Sequence, residues 1–256
     1  MKVIKLSLVL LFLVILSACG AGASAPAQPQ SAPTSTPIPP TPAPPTPIPP
    51  TSTATPIPPS PTPEVQEFFT EKFQDGYEKN WSYFLRSGEE TDFSLSVESG
   101  GLLFALTGTR IFSYLVYQPF DYEEVRVEAI ADNRGVNNNN VTLFCRYSPD
   151  GGWYEFNVFN SGIYNAYFTK PDSAGNLNYG LIAEGGSNAI KQGKATNTYA
   201  LVCKKDSLSF YINGDDLKTI PLPAYVPPGG KVGISVSSYG QVPVQVLVTE
   251  LTITQP

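Results

Sequence analysis

Chemistry in this chain of 256 residues has to proceed without histidine, because the sequence contains none. That excludes nucleophilic sites in which serine or cysteine is paired with a histidine base, and it leaves carboxylates as the main acid–base groups. Glu124 and Glu128 are the clearest carboxylate pair, since both would lie on one face of a strand. Arg126 lies between them, so a solvated outer face explains the pair better than catalysis. We therefore predict no catalytic residue and no enzyme.

Aromatic side chains are the stronger candidates for a site, because flat rings stack on sugar faces while polar neighbours bind hydroxyl groups. The candidate ligand-binding rings are Trp153, Tyr164, Tyr167 and Tyr179, which fall in or near the predicted central hairpins. Trp153 points away from the apolar stripe that begins at Tyr154, so it is exposed if that stripe faces the core. The alternative for each ring is ordinary core packing.

Cys19 is the candidate residue for lipid attachment. It follows an apolar segment, residues 6–16, that comes after the positive Lys2 and Lys5. Its immediate context, Leu-Ser-Ala-Cys-Gly, resembles the lipobox of bacterial lipoproteins, which implies cleavage before Cys19 and a diacylglyceryl group on its thiol. As a helix, residues 6–18 would rise about 20 Å, too little for a roughly 30 Å hydrocarbon core. We predict a lipoprotein signal peptide over residues 1–18, with an ordinary secretory signal as the alternative.

Residues 19–64 are predicted to form a lipid-anchored, disordered stalk rich in proline and threonine. They contain 17 of the 26 prolines and four near-repeats of Thr-Pro-Ile/Ala-Pro-Pro, and no charge precedes Glu64 in this stretch. Such a composition favours solvated polyproline II. A ligand for proline-binding domains is the alternative. Lipid on Cys19 would make the membrane a partner and would place the protein on the extracytoplasmic face of the cell membrane.

Residues 65–256 are predicted to form a single all-β domain. The runs 125–129, 153–158, 208–212 and 232–237 alternate apolar and polar residues with the period of half-buried strands, and turn signals lie at 149–152, 213–216 and 227–230. No stretch of ten or more residues keeps a helical period. Many short strands at this spacing favour a two-sheet antiparallel jelly-roll sandwich.

The charge of the chain limits its partners. Without the signal peptide it has 14 basic and 22 acidic residues, a net charge near −8. This surface repels nucleic acid, and no basic run offsets it. We therefore exclude nucleic acid as a partner.

Several short segments are informative about the fold family. They are Phe144-Cys145-Arg146-Tyr147, Trp153-Tyr154-Glu155-Phe156, the stretches 187–193, 197–203, 208–214 and 230–234, and Phe73-Gln74-Asp75 with Trp81. Together they resemble the concanavalin A-like jelly-roll domains of bacterial surface lipoproteins, kin to laminin-G-like and keto-disaccharide hydrolase-like modules. The resemblance covers essentially residues 65–254. One departure is Thr249-Glu250, where such domains often carry an Asp-Asn pair.

The same resemblance has consequences for the catalytic candidates and for the cysteines. Glu124 and Glu128 lack the Glu-x-Asp-x-x-Glu spacing of the related glucanases. Cys145 and Cys203 lie in strands that the resemblance places side by side, and an exported protein meets oxidising conditions, so we predict a disulfide between them. Two buried free thiols are the alternative.

A metal site has little support. Two cysteines without histidine make a poor zinc shell, so we predict no metal and no cofactor. The polar loop from Asn137 to Asn140 could bind calcium together with Asp132, but such a run is more often a turn.

Three functions remain for this domain. We predict a non-catalytic recognition module that binds glycan or another surface ligand, which requires an exposed aromatic platform on one sheet. A structural or protein-interaction domain is the alternative, and it would leave Trp153 covered. A carbohydrate-active hydrolase is the third possibility, and it needs two carboxylates converging in a cleft.

Overall fold

The domain consists of β-strands joined by short turns. The computed structural model describes residues 65–98, 100–222 and 227–256, so the predicted signal peptide, Cys19 and the stalk lie outside the described residues. The strands are β1 (Phe69–Glu71), β2 (Trp81–Ser87), β3 (Phe93–Glu98), β4 (Gly101–Leu106), β5 (Phe112–Tyr122), β6 (Val125–Asn133), β7 (Asn139–Ser148), β8 (Gly152–Phe159), β9 (Ile163–Pro171), β10 (Leu177–Gly186), β11 (Thr196–Cys203), β12 (Ser207–Ile212), β13 (Asp215–Pro221), β14 (Gly230–Ser238) and β15 (Val244–Thr254).

Helical structure is minor in these ranges. It is limited to two 3-10 turns, Tyr77–Lys79 and Glu90–Asp92. Within the described part of the chain, no helix has the length and apolar character needed to cross a membrane.

The strands form two antiparallel sheets packed face to face. One has the order β10-β9-β8-β7-β14-β5-β2. The other has the order β13-β12-β11-β6-β15-β4-β3, and β1 adds to it by pairing with β15. Neighbours in each sheet are often distant in sequence, as expected for a jelly roll. The predicted all-β sandwich is therefore confirmed.

The two sheets differ in how they are covered. In β6, buried and half-buried residues alternate, so this strand of the eight-stranded sheet covers the core with one face and meets solvent with the other. In β8, seven of eight residues are buried, so the seven-stranded sheet is covered on both faces at this point. The alternation in the sequence therefore predicted β6 well but hid the second covered face of β8.

The turn between β12 and β13 is tighter than the sequence predicted. Asn213 and Gly214 both have positive φ, at 52° and 88°, which gives the two-residue hairpin that Asn-Gly favours. Asp215 and Asp216, expected in the turn, are instead the first residues of β13.

The predicted disulfide is present and joins the two sheets. Cys145 on β7 is bonded to Cys203 on β11, with the Cα atoms 6.7 Å apart. Both residues are buried. The two strands belong to different sheets, so they face each other across the core rather than lying side by side. The bond therefore ties the sheets together through the core.

We expect removal of this bond to destabilise the domain. The bond closes a loop with a sequence separation of 58 residues. Loop entropy for that length corresponds to about 4 kcal/mol, so Cys145→Ala with Cys203→Ala should lower the free energy of unfolding by about 2 to 4 kcal/mol. Urea denaturation of both proteins measures this difference. A loss below about 1 kcal/mol would show that the bond constrains the unfolded chain very little.

Candidate functional site

The candidate site is the outer face of the seven-stranded sheet, the face turned away from the core. Strand register arranges its side chains in rows. Trp153, Thr169 and Tyr179 form one row across β8, β9 and β10. The next row contains Val116, Gly233, Phe144, Glu155, Tyr167 and Leu181, and the one after it contains Phe84, Tyr114, Ser235, Thr142, Asn157, Asn165 and Glu184.

Glu155 is the buried centre of this face. Its Oε2 accepts hydrogen bonds from the Tyr114 hydroxyl at 3.0 Å and from the Trp153 indole nitrogen at 3.1 Å. Its Oε1 accepts one from the Thr169 hydroxyl at 3.1 Å. None of the ion pairs among the described residues includes Glu155. The carboxylate is thus held by three neutral donors from β5, β8 and β9 and not by a cation.

Burial sets the electrostatics of this carboxyl group. Desolvation raises the pKa of Glu155, and the hydrogen bonds from Trp153, Tyr114 and Thr169 offset part of that rise. The carboxylate in turn affects the phenols around it. Burial and then the Glu155 charge raise the pKa of Tyr114, and the same two causes raise the pKa of Tyr167.

An aromatic layer covers Glu155. Trp153 and Phe144 are buried on this face together with Tyr114 and Val116, and Phe84, Phe112, Tyr147 and Leu177 pack against them. Phe84 comes from β2 and Leu177 from β10, which are the two opposite edges of the sheet. Gly233 lies beneath this layer, where a Cβ would collide with the Phe144 ring and with the Leu115 carbonyl. Side chains from both edges therefore close over the middle of the face.

The expected exposure of Trp153 is wrong. Its side chain points away from the core as the alternation predicted, but the residue is only 2% exposed. The ring packs against Tyr147 at 5.2 Å and against Tyr114 at 6.0 Å between centroids. Its indole nitrogen is held by Glu155. Trp153 therefore orders the aromatic layer rather than offering a ring to a ligand.

Tyr164 is also unavailable at the surface. It lies on the core side of β9, is 8% exposed and packs edge-on against Phe156 with a centroid distance of 6.0 Å. Tyr164 therefore has the alternative role that the sequence left open, which is ordinary core packing.

Tyr167 and Tyr179 do come together on the outer face. Their rings meet edge to face at 5.8 Å, and Tyr179 is 49% exposed. Leu181, opposite Tyr167 in the register, is 52% exposed. We call these three residues the β9–β10 platform. It is an exposed aromatic and apolar surface at the edge of the sheet, beside the closed aromatic layer.

A hollow of about 650 Å³ adjoins the platform. Its walls include Phe84, Tyr147, Trp153 and Leu177, and Arg86 lies at its edge. The Arg86 Nε atom is buried and has no hydrogen-bond partner among the described residues. Arg86 is also close to the platform: burial raises the pKa of Tyr179, the Glu155 charge raises it further, and the Arg86 guanidinium lowers it.

The two acidic residues at this hollow, Asp172 and Asp150, differ in their hydrogen bonding. Asp172 uses its carboxylate within its own loop, where it accepts hydrogen bonds from the backbone nitrogens of Ala174 and Asn176. These bonds lower the pKa of Asp172. Asp150, the other acid in the lining, is exposed.

The other acidic pair considered from the sequence lies away from this site. Glu128 is on the outer face of the eight-stranded sheet, where it pairs with Arg126, and Arg126 also lies over the Tyr211 ring at 5.0 Å. Glu124 accepts a hydrogen bond from the Lys205 backbone nitrogen at 2.9 Å. The two glutamates have different partners and form no cleft.

The residues of the predicted calcium loop make separate contacts. Asp132 is bound by Arg134 at 3.0 Å and by the Thr196 hydroxyl at 3.1 Å. Asn139 instead donates to Asn133 at 3.2 Å. Within the described ranges, no group of three or more acidic or cysteine side chains could hold a metal ion.

Glu155 is the residue that sequence reasoning missed. It shares the alternation of Trp153, so its side chain had to point to the outer face. The signal in the sequence was that Trp153, Glu155 and Asn157 alternate along the strand, so that one carboxylate lies on the same face as the indole. The burial of Glu155 could not be predicted from the sequence, because the side chains that cover it come from strands far apart in sequence.

Solved structures share this fold. A glycoside hydrolase family 16 endo-glucanase from Bacteroides ovatus superposes with a TM-score of 0.55 and 12% identity, over 73% of this chain and 99% of that one. The carbohydrate binding module CBM66 from Bacillus subtilis gives 0.52 and 13%, over 69% and 96%. The Ca2+/Man3GlcNAc-bound exoplasmic/lumenal domain of VIP36 gives 0.53 and 8%, over 75% and 91%.

These structures show a concanavalin A-like jelly roll. Hydrolases and non-catalytic binding proteins both occur among them, so the fold alone does not decide between the two functions. No family model and no curated protein sequence matches this chain.

We expect Glu155→Gln to change how stability depends on pH. The amide can still accept from Trp153 and Tyr114 and can donate to Thr169. A raised folded pKa means that the folded state binds the proton more tightly, so stability is lost as pH rises from the ordinary glutamate value, about 4.3, through the folded value. The glutamine variant lacks this loss and should be at least as stable as the wild type at neutral pH.

Urea denaturation from about pH 4 to pH 8 measures the effect. Between the two pKa values, the slopes of the wild type and Glu155→Gln should differ by up to about 1.4 kcal/mol per pH unit. Glu184→Gln, which removes an exposed carboxylate from the same face, is the control. Parallel curves for the wild type and Glu155→Gln would contradict the prediction.

Proposed function

We propose that this chain is a membrane-anchored extracytoplasmic lipoprotein whose sandwich domain binds a glycan on the β9–β10 platform without hydrolysing it. The observation that carries the proposal is the pair formed by the exposed Tyr179 and the half-buried Tyr167 beside the 650 Å³ hollow. Ring edges and faces of this kind match the apolar faces of a sugar, and a half-exposed ring loses little mobility on binding.

Polar groups next to the platform fit the same ligand class. Arg86 is half-buried and lines the hollow, so its guanidinium is a donor available to sugar hydroxyls there. Leu181 extends the platform along β10. Rings for stacking with a few polar groups beside them are the usual composition of a small-ligand site.

A non-catalytic role is supported by the state of the carboxylates. A two-carboxylate glycosidase needs the groups about 5 to 9.5 Å apart on either side of a bond. Glu155 is buried under the aromatic layer, and its hydrogen bonds go to three neutral donors. A carboxylate in that position cannot reach a glycosidic bond without disrupting the layer.

A structural or protein-interaction domain is the second candidate, and the burial of Trp153 favours it. Covered middle strands leave a smooth face, as that function requires. The platform would then contact a protein on the same cell surface instead of a sugar.

The glycan proposal predicts a specific loss. We expect Tyr179→Ala to weaken glycan binding by at least about tenfold, because it removes the most exposed ring of the platform. Tyr83→Ala is the matched control, since Tyr83 is 47% exposed and lies on β2 away from the platform. A glycan array followed by calorimetry, on the chain with Cys19→Ser, provides the measurement.

Two outcomes would contradict the proposal. Absence of binding across polysaccharides would leave the protein-interaction alternative. Release of reducing ends that disappears in Glu155→Gln would show catalysis.

The anchor is tested separately. We expect Cys19→Ala to abolish both incorporation of a labelled fatty acid and recovery of the protein in the membrane fraction, because two acyl chains contribute about 0.8 kcal/mol per buried methylene. Mass spectrometry of the mature wild-type protein should find modified Cys19 as its first residue. An unmodified protein that retains residues before Cys19 would refute the lipoprotein assignment.

A further inference from the structure

A second cavity lies between the sheets, on the side opposite the platform. It has a volume of about 570 Å³ and is bordered by β9, β10 and the end of β13. Its walls are mainly apolar and include Phe168, Ile182, Leu222, Pro227 and Pro228. Residues 223–226 are outside the described ranges. An apolar cavity of this size is large enough for a small organic ligand.

Tyr154 supplies a polar group inside the cavity. The residue is 4% exposed and lines the cavity wall, and its ring packs on Phe168 with a centroid distance of 4.9 Å. No hydrogen bond joins the Tyr154 hydroxyl to another described residue. A ligand acceptor placed in the cavity can therefore accept a hydrogen bond from this hydroxyl.

The charge around the cavity is positive. Lys170 is exposed at its border, and no acidic residue is among the described residues that line it. Ser148 contributes a hydroxyl that accepts a hydrogen bond from the Gly151 nitrogen at 3.2 Å. In a chain with a net negative charge, a cavity bordered by a cation and free of acids favours an anionic ligand.

Arg146 adds to this charge from behind the wall. It is buried, and its guanidinium donates to the carbonyl oxygens of Glu123, Lys204 and Pro227. No described carboxylate lies within 4 Å of it as an ion-pair partner. Pro227, which accepts one of these hydrogen bonds, also lines the cavity, so the guanidinium lies behind this part of the wall. Burial lowers the pKa of Arg146, and the charges of Glu124 and Glu123 raise it.

We propose that this cavity binds a fatty acid, with the alkyl chain among Phe168, Ile182 and Leu222 and the carboxylate at the Tyr154 hydroxyl and the Lys170 ammonium group. The apolar walls account for the chain, and the Tyr154 hydroxyl together with the Lys170 ammonium group accounts for the anionic head. This site shares no residue with the platform, so it does not depend on the glycan proposal.

A chain-length series tests the proposal. Saturated fatty acids of increasing length, kept below their micelle concentrations, are titrated by calorimetry into the chain with Cys19→Ser, so that no attached lipid competes. We expect saturable one-to-one binding that tightens about fourfold for each added methylene until the cavity is full. Methyl esters of the same acids should bind more weakly. Affinity that is independent of chain length, or absence of saturable binding, would overturn the proposal.

Substitutions locate the ligand. Tyr154→Phe keeps the ring and removes the hydroxyl, so it should weaken the acid several-fold and the ester as well, because the ester carbonyl also accepts from this hydroxyl. Lys170→Gln removes the charge, so it should weaken the acid several-fold and leave the ester unchanged. Lys191→Gln, another exposed lysine that does not line the cavity, should leave both affinities unchanged. Equal losses for acid and ester in Lys170→Gln, or no loss of acid affinity in either variant, would refute the assigned head-group contacts.

A measurement on the parent protein locates the ligand even if the variants fail to fold. In the folded parent protein, nuclear Overhauser effects should connect ligand methylene protons with the Ile182 methyl groups. Contacts to the Ile163 methyl groups on the outer face instead would place the ligand elsewhere and overturn the proposal.

Discussion

A buried carboxylate without a cation organises the outer face of the seven-stranded sheet. Removing an ion from water costs several kcal/mol unless hydrogen bonds replace the lost hydration. Glu155 obtains three, from Tyr114, Trp153 and Thr169. Each donor must keep its rotamer for the arrangement to hold, so two of the large rings on this face have fixed positions. The remaining rings then pack against a surface that is already ordered.

That arrangement explains why the middle of the face is closed while its edge is open. Phe84 and Tyr114 stack at 5.1 Å with nearly parallel planes, and Tyr239 lies against both Phe112 and Phe159. These contacts bring rings from several strands over the central rows. At the β10 edge no further strand follows, so Tyr179 and Leu181 have neighbours on one side only. An aromatic platform can therefore exist at this edge, although the ring of Trp153 is buried on the same face two strands away.

The sequence predicts the direction of a side chain better than its environment. Alternation in β8 correctly assigned Tyr154 to the core and Trp153 to the opposite face, because the period of two is local. Exposure is a tertiary property, and it depends here on β2 and β10, whose residues cover Trp153 from the two edges of the sheet. The disulfide is a second case in which the pairing was predictable and its place in the fold was not. The predicted export of the chain and its resemblance to concanavalin A-like domains suggested the pairing of Cys145 with Cys203, but only the fold shows that the bond crosses between sheets.

One hairpin carries both proposed sites because its strands lie at the edge of the sheet. Tyr167 and Phe168 are consecutive on β9, so their side chains point to opposite faces, one to the platform and the other to the intersheet cavity. β10 repeats this division with Leu181 outside and Ile182 inside. β8, the next strand in the sheet, is packed on both faces, and it contributes only Trp153 to the wall of the hollow and Tyr154 to the wall of the cavity. Openings on both faces of the sheet therefore occur at this edge, where packing from neighbouring strands ends.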